Sequence, residues 1–343
     1  MNNTSLLQQW LETVWYKKGI TSALGKFLLL PLTALYCTIN GFQRWYQIRN
    51  RSKSYQPPCS VIVVGNITVG GTGKTPLTIY LVKLLQQAGY KPAIITRGYG
   101  GKATSWPQSV TSETDPILAG DEAVLMANRT NVPVYAGADR LLSIEKLLES
   151  HSCNVIISDD GMQHYKLPRD IQIAVIDGKR KFGNGYCLPS GPMREPKERL
   201  NNCDLIVVNG AFEKETSKEK QWLNMMFAGD VLVNLQTGEN RAIQKITGKT
   251  VHAVTGIGNP QRFYHSLEQG GLELITHSFP DHHGFQLDDL TFNDDLLIVM
   301  TEKDAVKCKA FANDHCWYLP VTATLDEDFD VCLLALLRAK VTN

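Results

Sequence analysis

The sequence has almost no net charge and lacks the cysteine patterns that hold small folds together. Its 35 Lys and Arg balance 34 Asp and Glu, which gives a formal net charge of +1. A chain with so little excess charge is not expected to bind nucleic acid over its whole surface, which leaves only local basic clusters for such a role. The eight cysteines are scattered, with no C-x-x-C pair and no histidine at zinc-finger spacing. This pattern argues against a disulfide framework or a structural metal and is typical of reduced cytosolic thiols.

The sequence also lacks an uncharged run long enough to cross a membrane as a helix. Within KFLLLPLTALYCTINGF, the charge-free stretch 27–42 has sixteen residues, whereas a spanning helix needs about 20. The run starts too late for a signal peptide and has no convincing cleavage site. Apolar residues at helical intervals precede it in LLQQWLETVWYKKG, and four basic residues follow it: Arg44, Arg49, Arg51 and Lys53.

This N-terminal pattern predicts a pair of helices lying in the cytoplasmic interface of a membrane. Tryptophan and tyrosine would lie at the level of the headgroups, and the basic side chains would contact anionic lipid. The alternative is a helix packed on the protein's own core.

The rest of the chain is long enough for two domains. After a linker at 51–58, apolar runs alternate with helical patterns, which favours a largely parallel sheet covered by helices on both faces. The runs are SVIVVGN, KPAIITRG, VPVYAGA, NVIISDDG, IQIAVID and DLIVVNG. We expect membrane-associated helices over 1–55, an α/β domain of the P-loop NTPase type over 56–230, a two-stranded connection over 231–250 and a smaller α/β domain over 251–343.

A glycine-rich turn joins the first apolar run to a helical pattern in VIVVGNITVGGTGKTPLTIYLVKLL. This turn matches the phosphate-binding pattern G-x-x-x-x-G-K-[ST] except at its first position, where threonine replaces glycine. The residues of the turn are Thr68, Val69, Gly70, Gly71, Thr72, Gly73, Lys74 and Thr75. A strand before the turn and a helix after it are the context that this motif requires. Backbone N–H groups would converge on phosphate oxygens at the helix N-terminus, Lys74 would neutralise the β- and γ-phosphates, and Thr75 would ligate Mg²⁺. The sequence therefore predicts a nucleoside triphosphate site.

An acidic partner for this loop is expected at the end of an apolar strand. NVIISDDG supplies Asp159 and Asp160. One would hold Mg²⁺ directly or through water, and the other would orient a neighbouring group; the spacing does not decide which. In TEKD (301–304), Lys303 and Asp304 are adjacent, which is not the spacing of a guanine-reading loop. We therefore expect ATP as the nucleotide.

Several further polar clusters follow in a characteristic order. They are TRGYGG, AGDEAVLMA, SDDGMQHYKLPRD, LPSGPMREP, TGIGNPQRF and FPDHHGF. With VGNITVGGTGKTP before them, they closely resemble the tetraacyldisaccharide 4′-kinase family, the lipid A kinases of Gram-negative bacteria, over most of the chain. The resemblance implies transfer of phosphate from ATP to the 4′-hydroxyl of an acylated glucosamine disaccharide 1-phosphate. It places the reaction at the cytoplasmic face of the inner membrane. No protein partner is expected.

The resemblance also implies roles for individual residues. Asp121 of GDE matches the proposed general base, and His282 matches its partner, with His283 as a rival. Glu122 matches a residue near the metal, and the two aspartates after NVIIS match the acidic pair. The residues expected to touch the lipid substrate are Arg97, Tyr99, Arg140, His164 and Arg194. Met162 departs from the family, which more often has an aromatic residue there.

Chemistry makes the same assignment reasonable, and simpler explanations exist beside it. A sugar hydroxyl is a poor nucleophile at neutral pH, so a carboxylate that accepts its proton late in the transfer is useful. A histidine bonded to that carboxylate would fix its orientation. However, Asp121 also fits a helix N-cap, the two histidines fit an exposed loop, and Arg140 fits ordinary surface charge.

Two other classes of protein share the phosphate loop. A membrane-associated ATPase switch of the MinD type usually has a lysine where this chain has Val69, and its membrane helix generally lies at the other end of the chain. A soluble ATP-dependent ligase or small-molecule kinase would use the N-terminal helices only for packing.

Overall fold

The computed structural model describes residues 6–50, 55–210, 222–246 and 248–341. Its helices are α1 (Leu6–Tyr16), α2 (Ile20–Arg49), α3 (Lys74–Gln87), α4 (Pro116–Ala119), α5 (Asp121–Thr130), α6 (Arg140–Ser150), α7 (Pro260–Gln269), α8 (Glu302–Cys308) and α9 (Glu327–Val341). Short 3-10 turns cover Lys197–Asn202, Ile243–Ile246 and Leu287–Leu290.

The strands form two sheets. They are β1 (Ser60–Gly65), β2 (Pro92–Thr96), β3 (Gln108–Val110), β4 (Val134–Ala136), β5 (Val155–Ser158), β6 (Ile171–Asp177), β7 (Leu205–Asn209), β8 (Trp222–Ala228), β9 (Val231–Asn234), β10 (Asn240–Ala242), β11 (Thr250–Thr255), β12 (Glu273–Ser278), β13 (Ile298–Thr301), β14 (Cys316–Leu319) and β15 (Thr322–Leu325).

The larger sheet has the order β15-β8-β7-β6-β1-β5-β2-β4-β3 within the described residues. Its seven strands from β8 to β4 run parallel, and only the outer strands β15 and β3 are antiparallel to their neighbours. The strands predicted from apolar runs are all present, and most of their side chains are buried because helices cover both faces. Since these strands are parallel, their carboxyl ends meet at one edge, where a ligand is expected.

The smaller sheet has the order β10-β9-β14-β13-β11-β12. It differs from the predicted boundaries in two ways. Residues 231–250 hold the hairpin β9–β10, which is part of this sheet. The chain instead crosses between the two sheets at 229–230 and again at 320–321, directly before β15.

The C-terminal segment is the second difference. The sequence assigned all of 251–343 to the smaller domain, yet β15 pairs with β8 and α9 packs on the core of the larger sheet. Phe329 and Leu333 of α9 are fully buried there. An apolar helix at the end of a chain carries no local signal of which sheet it covers, so only the pairing of β15 with β8 settles it.

Because α9 completes the core of the larger sheet, Phe329→Ala should destabilise that unit. Removing a fully buried phenylalanine costs about 3–5 kcal/mol, which corresponds to a fall in Tm of about 10 °C for a unit of this size. Val331 on the same helix is 68 % exposed, so Val331→Ala serves as the matched control. Thermal unfolding followed by circular dichroism would show the difference, and equal Tm values for the two variants would contradict this packing.

The N-terminus forms two helices, as the sequence suggested, but α2 is longer than the uncharged run. It continues beyond that run at both ends, and with Pro31 inside it is long and apolar enough to cross a membrane. Its contacts with the protein form a narrow, largely polar stripe: Thr33 Oγ1 lies 2.8 Å from Ser190 Oγ, and the Tyr36 hydroxyl donates to the Arg194 carbonyl at 3.1 Å.

The large side chains of α2 point away from the protein. Phe27 and Leu28 are 74 % and 72 % exposed. Further exposed apolar residues follow along the helix, namely Leu32, Leu35, Ile39, Phe42 and Trp45. A helix that buries a polar stripe and exposes its apolar face is not a core helix, and such a face marks an interaction surface. Arg51 and Lys53, together with the linker residues around them, lie outside the described residues.

Candidate active site

The phosphate loop lies at the carboxyl edge of the larger sheet, between β1 and α3. Gly73 has φ of 101°, and a Cβ atom there would lie 2.5 Å from Asn209 Nδ2. Asn209 ends β7 and donates from this nitrogen to the Thr72 carbonyl at 2.8 Å. Only glycine fits at position 73 because the loop packs directly against the end of a neighbouring strand.

A second segment supports the start of the loop. Thr68 forms an isolated bridge with Met193, and the Val69 N–H donates to the Pro192 carbonyl at 2.9 Å. Arg194, which follows Met193, reaches the acidic pair: its Nη1 lies 3.5 Å from Asp160 Oδ2. The same short segment therefore contacts both the phosphate loop and the carboxylates expected beside it.

The two aspartates after β5 have different surroundings. Lys74 Nζ lies 3.5 Å from Asp160 Oδ1. Burial would raise the pKa of Asp160, but Lys74 and Arg194 hold it below its usual value. Asp159 is fully buried and accepts a hydrogen bond from Thr78 Oγ1 at 3.0 Å.

The second carboxylate oxygen of Asp159 is a candidate ligand for a cation. Among the described residues, Asp159 Oδ2 has no hydrogen-bond partner. Burial, and then the charge of Glu122, raise the pKa of Asp159 to about 7. A buried carboxylate with an unpartnered oxygen is costly without a nearby positive charge. No group of three or more His, Cys, Asp or Glu side chains in the described part of the chain is arranged as a metal site, so any ion here would draw ligands from hydroxyl and phosphate oxygens as well.

Asp121 and His282 form a hydrogen-bonded pair, with His282 Nδ1 at 3.0 Å from Asp121 Oδ2. Asp121 is the first residue of α5 rather than its N-cap, which is Gly120. Its side chain is buried, and its other oxygen accepts from the Glu122 N–H at 2.8 Å. His282 reaches it from the loop after β12, with φ of 61°. His283 turns the other way and bonds to Asp289 at 2.9 Å.

The environment favours a charged Asp121. Burial would raise the pKa of Asp121, but the hydrogen bond from His282 and the charges of Lys303 and Lys307 hold it below its usual value. The bond to Asp121 raises the pKa of His282, against the effects of burial and of Lys303. The pair therefore offers an ionised carboxylate oriented by an imidazole, which is an arrangement suited to accepting a proton.

The residues predicted to contact the lipid differ in their exposure and in their neighbours. Arg97 is exposed directly after β2, and the Tyr99 ring lies 4.7 Å from that of His282. Arg194 faces Asp160 as described above. His164 is half-buried, and burial and Arg140 lower its pKa to about 4, so it is neutral at physiological pH.

Arg140 differs from the expectation of ordinary surface charge, and the substrate contact implied for it stays a prediction. Its side chain is buried, with Nη1 bonded to the Gly137 carbonyl and Nη2 at 3.5 Å from the Asp159 carbonyl. Burial lowers its pKa to about 10, despite the charges of Asp159 and Asp160. In this arrangement Arg140 joins the residue after β4 to the first aspartate after β5.

Four residues at or beside the site were not predicted from the sequence. Lys303 Nζ lies 3.2 Å from Glu122 Oε1 and 4.0 Å from Asp121 Oδ2. Asn209 holds the phosphate loop, and Arg262 of α7 donates to Asn209 Oδ1 at 2.5 Å, which links the two sheets. The fourth is Asp304 of TEKD: the spacing of this segment excludes a guanine-reading loop, and Asp304 is buried and accepts hydrogen bonds from Thr255, Gly256 and Thr301.

A phosphate loop on a parallel sheet, with a carboxylate–histidine pair at the same edge, defines a P-loop enzyme equipped for phosphoryl transfer to an acceptor. Residues 25–338 match the family model described as tetraacyldisaccharide-1-P 4′-kinase, and the chain belongs to this family.

Individual relatives agree with the family model. The chain is 44 % identical over 314 residues to the tetraacyldisaccharide 4′-kinase of Nitrosococcus oceani, covering 92 % of this chain and 91 % of the relative. It is 42 % identical over 331 residues to that of Mannheimia succiniciproducens, covering 96 % and 98 %. The crystal structure of LpxK from Aquifex aeolicus in complex with ATP superposes with a TM-score of 0.75 at 28 % identity, covering 91 % of this chain and 99 % of that one. The predicted fold class and family are thereby confirmed.

Proposed function

We propose that the protein transfers the γ-phosphate of ATP to the 4′-hydroxyl of a tetraacylated glucosamine disaccharide 1-phosphate, a step in lipid A synthesis. Family membership supports the substrate class, and the Asp121–His282 pair is the observation that carries the chemistry. The hydroxyl oxygen forms a bond to the γ-phosphorus, the bond from that phosphorus to the bridging oxygen breaks, and ADP leaves. The hydroxyl proton passes to Asp121.

The phosphate loop binds and orients ATP in this proposal. Backbone N–H groups of 68–75 surround the phosphates at the N-terminus of α3, and Lys74 stabilises the charge on the transferred group. The tight packing of Gly73 against Asn209 supports this role because it keeps the loop in one conformation.

Mg²⁺ fits the acidic side of the loop. Thr75 and the Asp159–Asp160 pair would hold it, with Glu122 nearby. The unpartnered, buried oxygen of Asp159 supports a direct role for that residue, whereas Asp160 is already ion-paired with Lys74 and Arg194. When bound, the ion would neutralise phosphate charge during the transfer.

The acceptor would approach along the surface that contains Arg97, Tyr99, His164 and Arg194. Tyr99 packs on His282, so a sugar bound against Tyr99 would lie next to the Asp121–His282 pair. We assign Arg140 to positioning of the strand ends because it is buried.

The N-terminal helices would hold the enzyme at the cytoplasmic face of the inner membrane, where a nucleotide from the cytosol and a lipid from the bilayer can meet. The exposed apolar face of α2 supports this, and Arg49 lies in its last turn. Arg44 instead lies over the Tyr165 ring at 5.2 Å, so it contributes to packing as well as charge.

The exposed face of α2 gives a test of membrane binding that leaves the protein contacts in place. Changing Phe27, Leu28 and Leu35 together to Gln should lower partitioning into vesicles by on the order of a thousandfold, because each apolar side chain contributes about 1.5 kcal/mol when buried in lipid. The KM for vesicle-bound lipid should rise far more than the KM for ATP. Flotation and kinetics would measure both.

The matched control is Leu287→Gln. Leu287 is an exposed apolar residue too, at 59 %, but it lies near the smaller sheet and not on α2. Unchanged flotation of the triple variant would remove the anchor role while leaving the kinase assignment intact. Deleting 1–42 is a poorer test, because it would also remove the bonds of Thr33 and Tyr36 to Ser190 and Arg194, in the segment that contacts the phosphate loop and Asp160.

The reaction itself is tested by incubating the protein with γ-labelled ATP and a membrane lipid extract and then partitioning into chloroform. Label in the organic phase is expected. Free labelled phosphate alone would indicate an ATPase switch, and a labelled water-soluble product would indicate a ligase or small-molecule kinase; either result would overturn the proposal.

A further inference from the structure

Lys303 lies among the groups of the carboxylate–histidine pair, although neither the phosphate loop motif nor the predicted roles include it. Lys303 lies in the first turn of α8, and its side chain is only 18 % exposed. Three carboxylates face its Nζ: those of Glu122 and Asp121, described above, and Asp281, whose Oδ1 is 3.6 Å away. Burial would lower the pKa of Lys303, but these three charges raise it. Lys303 is therefore an ammonium ion.

The position of this ammonium group determines the protonation of Nε2, the second nitrogen of the His282 ring. Lys303 Nζ is 3.3 Å from His282 Nε2. An ammonium group has three donors and no acceptor, so Nε2 must present its lone pair to it. The proton of the neutral ring is then on Nδ1, which faces Asp121 Oδ2 at 3.0 Å.

Two groups set the state of the ring: the ionised Asp121 accepts from Nδ1, and Lys303 keeps a second proton off Nε2. Asp281 Oδ1 is 3.8 Å from Nε2 and, as an acceptor, would favour a proton on that nitrogen. Lys303 is closer to Nε2 and also pairs with Asp281. Lys307 Nζ lies 3.9 Å from Asp121 but is bound to Asp304 at 2.8 Å, and the Tyr99 ring carries no charge. Without Lys303, Asp281 would be the nearest partner of Nε2.

We propose that Lys303 is a positioning residue that keeps Nε2 of His282 unprotonated, so that His282 stays neutral, donates only from Nδ1 and holds the Asp121 carboxylate for the acceptor hydroxyl. Asp121 then accepts one bond on each oxygen, from His282 and from the Glu122 N–H, and retains lone pairs for the incoming proton. The catalytic consequence rests on the proposed kinase function, whereas the tautomer does not.

The tautomer can be measured directly on the full chain in detergent micelles, without substrates. Long-range ¹H–¹⁵N correlation of histidine-labelled protein at mildly alkaline pH distinguishes protonated from unprotonated ring nitrogens, and His282→Gln identifies the signals. The wild-type ring should show a protonated Nδ1 and an unprotonated Nε2. When the pH is then lowered, Nε2 of Lys303→Met should gain a proton at a higher pH than Nε2 of the wild type, because the ammonium group beside it is gone and Asp281 remains. Lys307→Met, which leaves Lys303 in place, should keep the wild-type pattern.

Kinetics supply the second measurement. Lys303→Met should lower kcat by about ten- to a hundredfold, at or below the lower end of a full general-base contribution because Asp121 itself is retained, with the KM for ATP within about a factor of two. Lys303→Arg should recover most of kcat, since a guanidinium group also donates and has no acceptor.

Two results would overturn the proposal: a proton on Nε2 in the wild type at mildly alkaline pH, or protonation of Nε2 in folded Lys303→Met at the same pH as in the wild type. The wild-type spectrum keeps the test decisive even if that variant does not fold. If the wild type forms no labelled lipid, the proposed function fails while the tautomer result stands, so the two failures can be told apart.

Discussion

Lys74→Ala is expected to abolish nearly all phosphoryl transfer, with kcat lower by on the order of a thousandfold or more. The lysine begins α3, where its ammonium group can follow the γ-phosphate as negative charge develops on it, and removing one such preorganised group costs about two to three orders of magnitude. Lys74 also neutralises Asp160 at 3.5 Å, so its loss disturbs the acidic pair as well. Initial rates with labelled ATP and detergent-solubilised lipid would measure the effect.

Two variants separate charge from packing in this experiment. Lys74→Met keeps the length of the side chain and should be as inactive as Lys74→Ala. Lys83 lies on the same helix but is exposed, so Lys83→Ala should behave like the wild type. Activity of Lys74→Ala within tenfold of the wild type, with an unchanged circular dichroism spectrum, would remove the phosphate-loop assignment.

Asp121→Asn should lower kcat by about two to four orders of magnitude and leave the KM for ATP nearly unchanged, because the amide keeps the shape but does not accept the proton. His282→Ala should have a smaller effect. The double variant should be little worse than Asp121→Asn alone, because residues that act as one unit give strongly non-additive losses.

The neighbouring histidine provides the control for this cycle. His283 bonds to Asp289 instead of Asp121, so His283→Ala should keep kcat close to that of the wild type. If the single losses of Asp121→Asn and His282→Ala simply multiply, the two side chains do not act together, whatever their distance.

The sequence predicted those parts of the site that are encoded locally. The phosphate loop is one continuous segment, and its glycines, lysine and flanking strand and helix define it without knowledge of the fold. The acidic pair follows an apolar strand in the same way. The motif order of a known family carried Asp121 and His282, but the choice between His282 and His283 depended on the left-handed turn at His282, which local pattern does not reveal.

The missed features all depend on contacts between distant segments. Lys303 meets Glu122 only because α8 packs on α5, and Asn209 meets Arg262 only because the smaller sheet lies against the end of β7. Arg140 looked like surface charge because its helix begins with an ordinary capped turn at Asp139. Its burial follows from the packing of that turn beneath the acidic pair.

The return of the chain to the larger sheet also has a consequence for how the protein is made. Every strand of the smaller sheet leaves the ribosome before β15 and α9, which complete the larger one. Until then, the edge of β8 has no partner on its outer side, and the apolar surface that Phe329 and Leu333 later cover is open to water. Exposed edges and uncovered apolar surface are the features of a nascent chain that attract chaperones or lead to aggregation. A stop codon just before β15 would therefore damage the larger, nucleotide-binding unit, although most of that unit is translated first. The smaller sheet would keep all of its strands.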